Sequence, residues 1–313
     1  MPNNQTKALV QGSMMVAIFT IILTMAAYVP LISIFALLFA PLPIAWYSAN
    51  YKRKASILVA VVGALLTFFT SGIIMLPFAL ILGLLGLIIG EAIRMKKSKL
   101  YILISSGIAM LISFAIIHLC TMFLANINLV QTSLQFAREN YEQSLEMAKQ
   151  FSGQMIITPE QLDMMFKTME LTVPAAITIT AFLIAFVLIT VNVPLLGRLG
   201  LEVPKFASFQ EMRLPRAVLW YYMIVLAINL FLRPESGSML DVIVLNFSYI
   251  LWLLLILQGI SLIHYFIASK GLPNAVKWIA TILAIPLSSF IILLGIIDLG
   301  FDVRSLIAGK TKK

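Results

Sequence analysis

Two histidines, one cysteine and a scatter of amides are the side chains of this 313-residue sequence with chemistry beyond packing. His118 is followed by Asn126 and Asn128, and an imidazole with two carboxamides can hydrogen-bond a small polar ligand. The same histidine can equally bond a carbonyl of a neighbouring helix. Asn192, Asn229, Asn246 and Gln258 each interrupt an apolar run, where amides join helices for about 0.6 kcal/mol apiece. Glu91 precedes Arg94 and Lys96 and reads as an ion-pair partner, with proton relay as the alternative. Arg233, Glu235 and Asp241 read as a solvated cluster. Met164 and Met165 lack a nearby Cys or His, so they fill gaps and no metal site is assigned. Cys120 stands alone, which excludes an internal disulfide and a Cys-based zinc site. There is no phosphate loop, His-Glu-x-x-His or nucleophile elbow. No catalytic residue and no cofactor is assigned, and an enzyme is not expected.

The surroundings of these residues set what they can do. Hydrophobic residues make up 61% of the chain and charged residues 11%, a composition that no water-soluble domain sustains. The expected fold is all-α, a polytopic transmembrane bundle with about nine candidate spans, eight to nine of them crossing. They fall at 8–29, 31–49, 55–73, 74–94, 100–124, 173–197, 216–233, 239–268 and 275–298. Pro41 and Pro43 remove amide donors within the second, which should break or tilt it. The net charge of +9 does not signal nucleic acid, because the basic residues cluster beside apolar spans.

Those clusters orient the chain. Lys52, Arg53 and Lys54, then Arg94, Lys96, Lys97 and Lys99, then Arg198, Lys205, Arg213 and Arg216 mark cytoplasmic loops, so the amino terminus is expected inside. Nine crossings would leave Lys310, Lys312 and Lys313 outside, against the rule, unless one late span, such as that broken at Pro286, does not cross.

The polar stretch 125–172 then lies outside, with six acids against three bases in 126–172. Val130, Leu134, Ala137, Tyr141, Leu145 and Ala148 recur at steps of three and four, which predicts an amphipathic helix. Thr158, Pro159 and Gln161 mark a second helix start by a capping box. A helical hairpin is expected, inserted in a six-span bundle of residues 1–124 and 173–197. An interfacial linker, 198–215, and a three-span region, 216–313, follow. On the first helix Ser13, Ala17, Thr20 and Thr24 form one narrow stripe able to pack closely. Gly83, Gly86 and Gly90 form another on the fourth.

The segments Thr6-Lys-Ala-Leu-Val-Gln-Gly-Ser-Met-Met, Tyr28-Val-Pro-Leu, Ala40-Pro-Leu-Pro and Phe209-Gln-Glu-Met-Arg-Leu-Pro resemble the YybS-like family of bacterial membrane proteins along the whole chain. Residues 8–197 also distantly resemble the S-components of energy-coupling-factor transporters. That likeness implies a binding subunit in the bacterial plasma membrane, docked on a membrane scaffold that carries ATPases. S-components present Ala-x-x-x-Ala on the first helix where this chain has Ser13-x-x-x-Ala17. Two functional readings follow: a small-molecule-binding subunit for uptake, with a cavity opening beneath the hairpin, and a non-transporting scaffold or cell-envelope assembly factor. The partners implied are the lipid bilayer, an unidentified small molecule and the membrane scaffold.

Overall fold

A computed structural model describes residues 4–152, 157–205 and 208–310; Phe206, Lys312 and Lys313 lie outside the described residues. Regular structure among them is helical throughout. The apolar runs set this pattern, because a backbone in hydrocarbon must satisfy its own donors and acceptors. The chain divides into two compact units, Met1–Ser133 with Ile177–Lys205, and Leu134–Ala176 with Phe206–Lys313. The arms of the hairpin group with the C-terminal helices.

In the first unit α1 (Asn4–Tyr28), α2 (Pro30–Phe39), α3 (Pro41–Asn50), α4 (Arg53–Ser71), α5 (Leu76–Arg94) and α6 (Lys99–Ala125) pack with the C-terminal part of a long later helix. The prolines of the second apolar segment act as expected, ending α2 at Ala40 and starting α3. The core is built on Phe19, Leu23, Ile44, Leu85, Ile89 and Ile189, all buried. Gly86 and Gly90 face α3, where a Cβ would collide with the carbonyls of Pro41 and Ala45. Two helices in lipid gain no hydrophobic drive from association, so this backbone-to-backbone approach supplies dispersion contact in its place.

Helix α7 (Leu129–Ser152) carries the polar stretch, and each residue of its expected apolar stripe is half-buried. The helix after it, α8 (Pro159–Arg198), opens on the expected capping box: Thr158 N–H donates to Gln161 Oε1 at 3.0 Å, and Gln161 N–H donates to Thr158 Oγ1 at 3.3 Å. Arg138 on α7 donates to Asp163 on α8 at 2.5 Å, and Tyr141 meets Phe166 edge-on at 6.3 Å. The hairpin is therefore present, but its second arm does not end near 172. It runs through Pro174 into the sixth apolar span as one 40-residue helix.

The second unit adds α9 (Ala217–Ala227), α10 (Met239–Ser269), α11 (Asn274–Ala284), α12 (Ser288–Phe301) and α13 (Val303–Lys310). Among the described residues, seven helices are long and apolar enough to cross a membrane. Two of the nine expected segments take another form. Residues 217–232 make a shorter apolar helix that finishes in a π turn. The segment expected at 275–298 is α11 and α12, bent by 113° at a break that contains Pro286. Lys277 near the start of α11 donates to Gln210 Oε1 at 2.9 Å, and Arg304 beyond α12 donates to the Gln210 carbonyl at 2.8 Å. Both ends of the pair thus reach one residue, and a bend of this size makes either a broken span or a re-entrant hairpin.

Candidate functional site

The expected ligand residues do not gather. Asn126 takes the left-handed conformation that ends α6, with φ of 55°. Asn128 caps α7, accepting the Gln131 N–H at 3.2 Å. Both carboxamides sit where short polar side chains compete well for backbone groups. His118 is half-buried, with Nδ1 buried and unpartnered. None of the three lines a cavity of the first unit described below.

The stripe on α1 divides. Ser13 and Ala17 are exposed, and the Ser13 hydroxyl donates back to the Leu9 carbonyl at 3.1 Å. Thr20 is buried, and Thr24 meets Thr70 on α4 at 3.0 Å. Glu91 has the expected ion-pair role, lying 3.3 Å from both Arg53 and Arg94. Asp241 accepts the Gly237 N–H at 2.9 Å and belongs to the start of α10.

Two apolar cavities lie among the described residues of the first unit. One, of about 330 Å³, is lined by α4, α5 and α6, including Gly83 and Ser113. The other, of about 470 Å³, lies among α2, α5, α6 and α8, with walls from Leu38, Phe78, Met110, Phe114, Ile184 and Leu188. Fully buried Asn192 adjoins the second. Its Nδ2 donates to the carbonyls of Leu38 and Leu188, both at 2.8 Å, and its Oδ1 has no partner. Leu38 lies at the proline break, where Asn192 supplies a donor to a carbonyl beside the interrupted ladder. The second cavity is half open and walled almost wholly by apolar side chains, which suits an apolar body, and Asn192 is bonded to two of its wall residues without lining it.

The second unit holds a buried polar cluster of greater density. Asp298 on α12 accepts Gln258 Nε2 at 2.6 Å and Arg304 Nε at 2.9 Å, both on Oδ2. The Arg304 side chain is 1% exposed and also donates to Ser261 Oγ at 3.0 Å. Ser261 donates to the carbonyls of Phe209 and Met212, and Gln258 Oε1 accepts the Leu214 N–H at 2.9 Å. The segment Phe209–Pro215 is therefore fastened by its backbone to α10 and to Arg304. A buried charge is tolerated only when paired and hydrogen-bonded, and here each member fixes the next. Asn246 plays a comparable part, accepting the Ala175 N–H and donating to the Leu171 carbonyl, both at 2.7 Å. These two groups are one i, i−4 pair beside Pro174, so the side chain enters the ladder of α8 itself.

Sequence reasoning marked Gln258 as an amide that joins helices and 198–215 as an interfacial linker, but missed Asp298 and Arg304. The available signal was a single carboxylate inside an apolar segment, which in a membrane requires a partner. Its partner follows six residues later, a spacing that shares no helix face and is bridged by the reversal at Asp302, with φ of 46°.

Comparison with known proteins bears on this chain as a whole. A family model described as "Predicted membrane protein (DUF2232)" matches residues 17–299. The chain is also 28% identical to "Uncharacterized protein YybS" of Bacillus subtilis (strain 168), over 96% of this chain and 98% of that protein. No solved structure matches. The YybS-like resemblance is carried by these matches, and they give no support to the likeness with S-components.

Proposed function

We propose, from the premise that this chain belongs to the DUF2232 family of predicted membrane proteins, that it is a non-enzymatic binding subunit of an uptake assembly in the bacterial plasma membrane. Its ligand is a small, mostly apolar molecule with one hydrogen-bond donor. The observation that carries this reading is the 470 Å³ apolar cavity of the first unit, whose wall residues Leu38 and Leu188 are bonded to Asn192, an amide with an unpartnered Oδ1. A membrane partner, of the kind that carries ATPases, docks on the exposed face of α1 around Ser13 and Ala17. The amino terminus is cytoplasmic, following the basic clusters at residues 52–54 and 94–99.

The test uses the full chain in lipid nanodiscs with 1-naphthol, which has the donor, and naphthalene, which lacks it. Naphthol should raise the melting temperature, since a hundredfold excess over Kd stabilises by about 2.7 kcal/mol. Naphthalene should do so less, and Ile184→Trp, which fills the cavity from a partly exposed wall, should cancel both effects. Absence of stabilisation, or equal stabilisation in the filled variant, would overturn the reading.

One observation favours a scaffold role. Phe136, Met147 and Phe151 are exposed along one side of α7, turned away from its partner arm. A hairpin that captured an envelope component through that side while the cavity bound neither probe would establish the scaffold instead.

A further inference from the structure

The polar cluster of the second unit opens into a cleft of about 80 Å³ lined by Arg213, Leu214, Arg216, Gln258, Asp298 and Asp302, together with Leu299. Asp298 is 6% exposed, and its two oxygens are treated unequally. Oδ2 accepts both Gln258 and Arg304, whereas Oδ1 is buried with no partner. An unmade bond on a buried carboxylate is costly, so a donor belongs at Oδ1, and the volume admits only a compact one.

The mouth of the cleft carries the opposite charge. Arg213 is paired with Asp302 at 3.1 Å, but Arg216 is exposed and forms no ion pair or side-chain hydrogen bond among the described residues. An acceptor in depth and an unspent guanidinium at the rim match a zwitterion that enters cation first and leaves its anion at the entrance. A multivalent metal ion fits poorly, because among the described residues no three His, Cys, Asp or Glu side chains converge. The level of the cleft is also marked. The apolar run of α12 ends at Phe301, and Trp220 and Tyr221, one turn beyond Arg216, are 67% and 57% exposed, as aromatic side chains at a membrane–water interface are.

We propose that this cleft binds an aminoethyl phosphate group, the head group of phosphatidylethanolamine or the free aminophosphate. The primary ammonium donates to Asp298 Oδ1, and the phosphate lies against Arg216, with Arg213 beside it. Guanidinium and phosphate form charge-assisted pairs, and a primary ammonium brings three donors on a compact group. A trimethylated ammonium offers no donor and exceeds the space at Asp298.

The experiment presents the full chain with an equimolar mixture of dioleoyl phosphatidylethanolamine, phosphatidylcholine and phosphatidylglycerol in nanodiscs, and counts retained lipids by native mass spectrometry. Phosphatidylethanolamine should be retained about tenfold over each of the others, the worth of one charge-assisted hydrogen bond. Arg216→Gln should reduce the phosphatidylethanolamine retained several-fold without moving the melting temperature, because the side chain is exposed and unpaired. Added phosphoethanolamine then separates the two sources: displacement shows that the head group alone is recognised, and a preference that survives it assigns the ligand to the lipid. Equal retention of phosphatidylethanolamine and phosphatidylcholine, phosphatidylglycerol retained as well as phosphatidylethanolamine, or unchanged retention of phosphatidylethanolamine in Arg216→Gln would each overturn the proposal. None of these outcomes depends on the cavity of the first unit.

Discussion

Asp298 and Arg304 show how a membrane protein can keep charge inside. Each is nearly inaccessible, and each is held by groups that are themselves fixed: Gln258, Ser261 and the Gln210 carbonyl. Removing one partner strands the other, which costs about 3–5 kcal/mol in a buried pair. Arg304→Met should therefore lower the melting temperature sharply and loosen Phe209–Pro215, read as faster proteolysis at that segment. Adding Asp298→Leu to the same protein should recover part of the loss, because no charge is then left unpaired. A double variant worse than the sum of the two single changes would show that the ion pair is not the coupling element. At this scale the sequence was half legible. Gln258, Asn192 and Asn246 stand out as amides in apolar runs and do bond across helices, yet which carbonyl each reaches depends on neighbours remote in sequence.

Helices in this chain meet where glycines let backbones touch. Gly259 on α10 and Gly295 on α12 interlock, so that a Cβ on either would overlap the carbonyl of Ile291 or Leu255. Backbone cannot yield as a side chain can, and the cost should reach or exceed the ~1–3 kcal/mol typical of overpacking. The outer face of α1 behaves oppositely, since Ala17 is exposed while Phe19 and Leu23 fill the core. Gly295→Leu should fail to accumulate as folded protein. Ala17→Leu should express and melt like the parent, within about 0.5 kcal/mol for an exposed site, but lose co-purification of its membrane partner. An Ala17→Leu protein that keeps its partner would remove α1 as the docking face. The Gly86-x-x-x-Gly90 pattern was readable in advance as close packing, whereas the partner helix, α3, was not.

For the molecule as a whole, the bent pair α11–α12 bears on a conflict in the charge pattern. Nine crossings would carry the basic C-terminal tail outside. We infer that a pair whose two ends meet at Gln210 adds no crossing, which leaves α13 on the side of the segment Phe209–Pro215, as the basic residues of both predict. We infer that the hairpin of α7 and α8 is extracytoplasmic and that α13 is cytoplasmic. In a Cys120→Ala background, Glu142→Cys and Glu160→Cys should react with an impermeant maleimide on intact cells, and Ser305→Cys only after lysis. Labelling of Ser305→Cys on intact cells would return α11–α12 to the status of a crossing. Protection of both hairpin positions would invert the topology.

The class, the helical content, most spans and the start of each hairpin arm are legible in the order of residues alone. Hydropathy, proline position and capping act within a few residues of chain, and hydrocarbon admits only a helix or a closed barrel as a spanning backbone. The sequence also marked the residues that must find partners, since an amide or carboxylate in hydrocarbon cannot stay unsatisfied. Which groups become those partners follows from the packing of the folded chain. Asn126 and Asn128 proved to serve helix ends, Asn192 to adjoin an apolar cavity, and Asp298 to join Arg304 across a chain reversal. That packing alone showed one apparent span to be a bent pair whose ends meet at Gln210, because a run of apolar residues fixes length and burial but not whether the helix it forms continues straight.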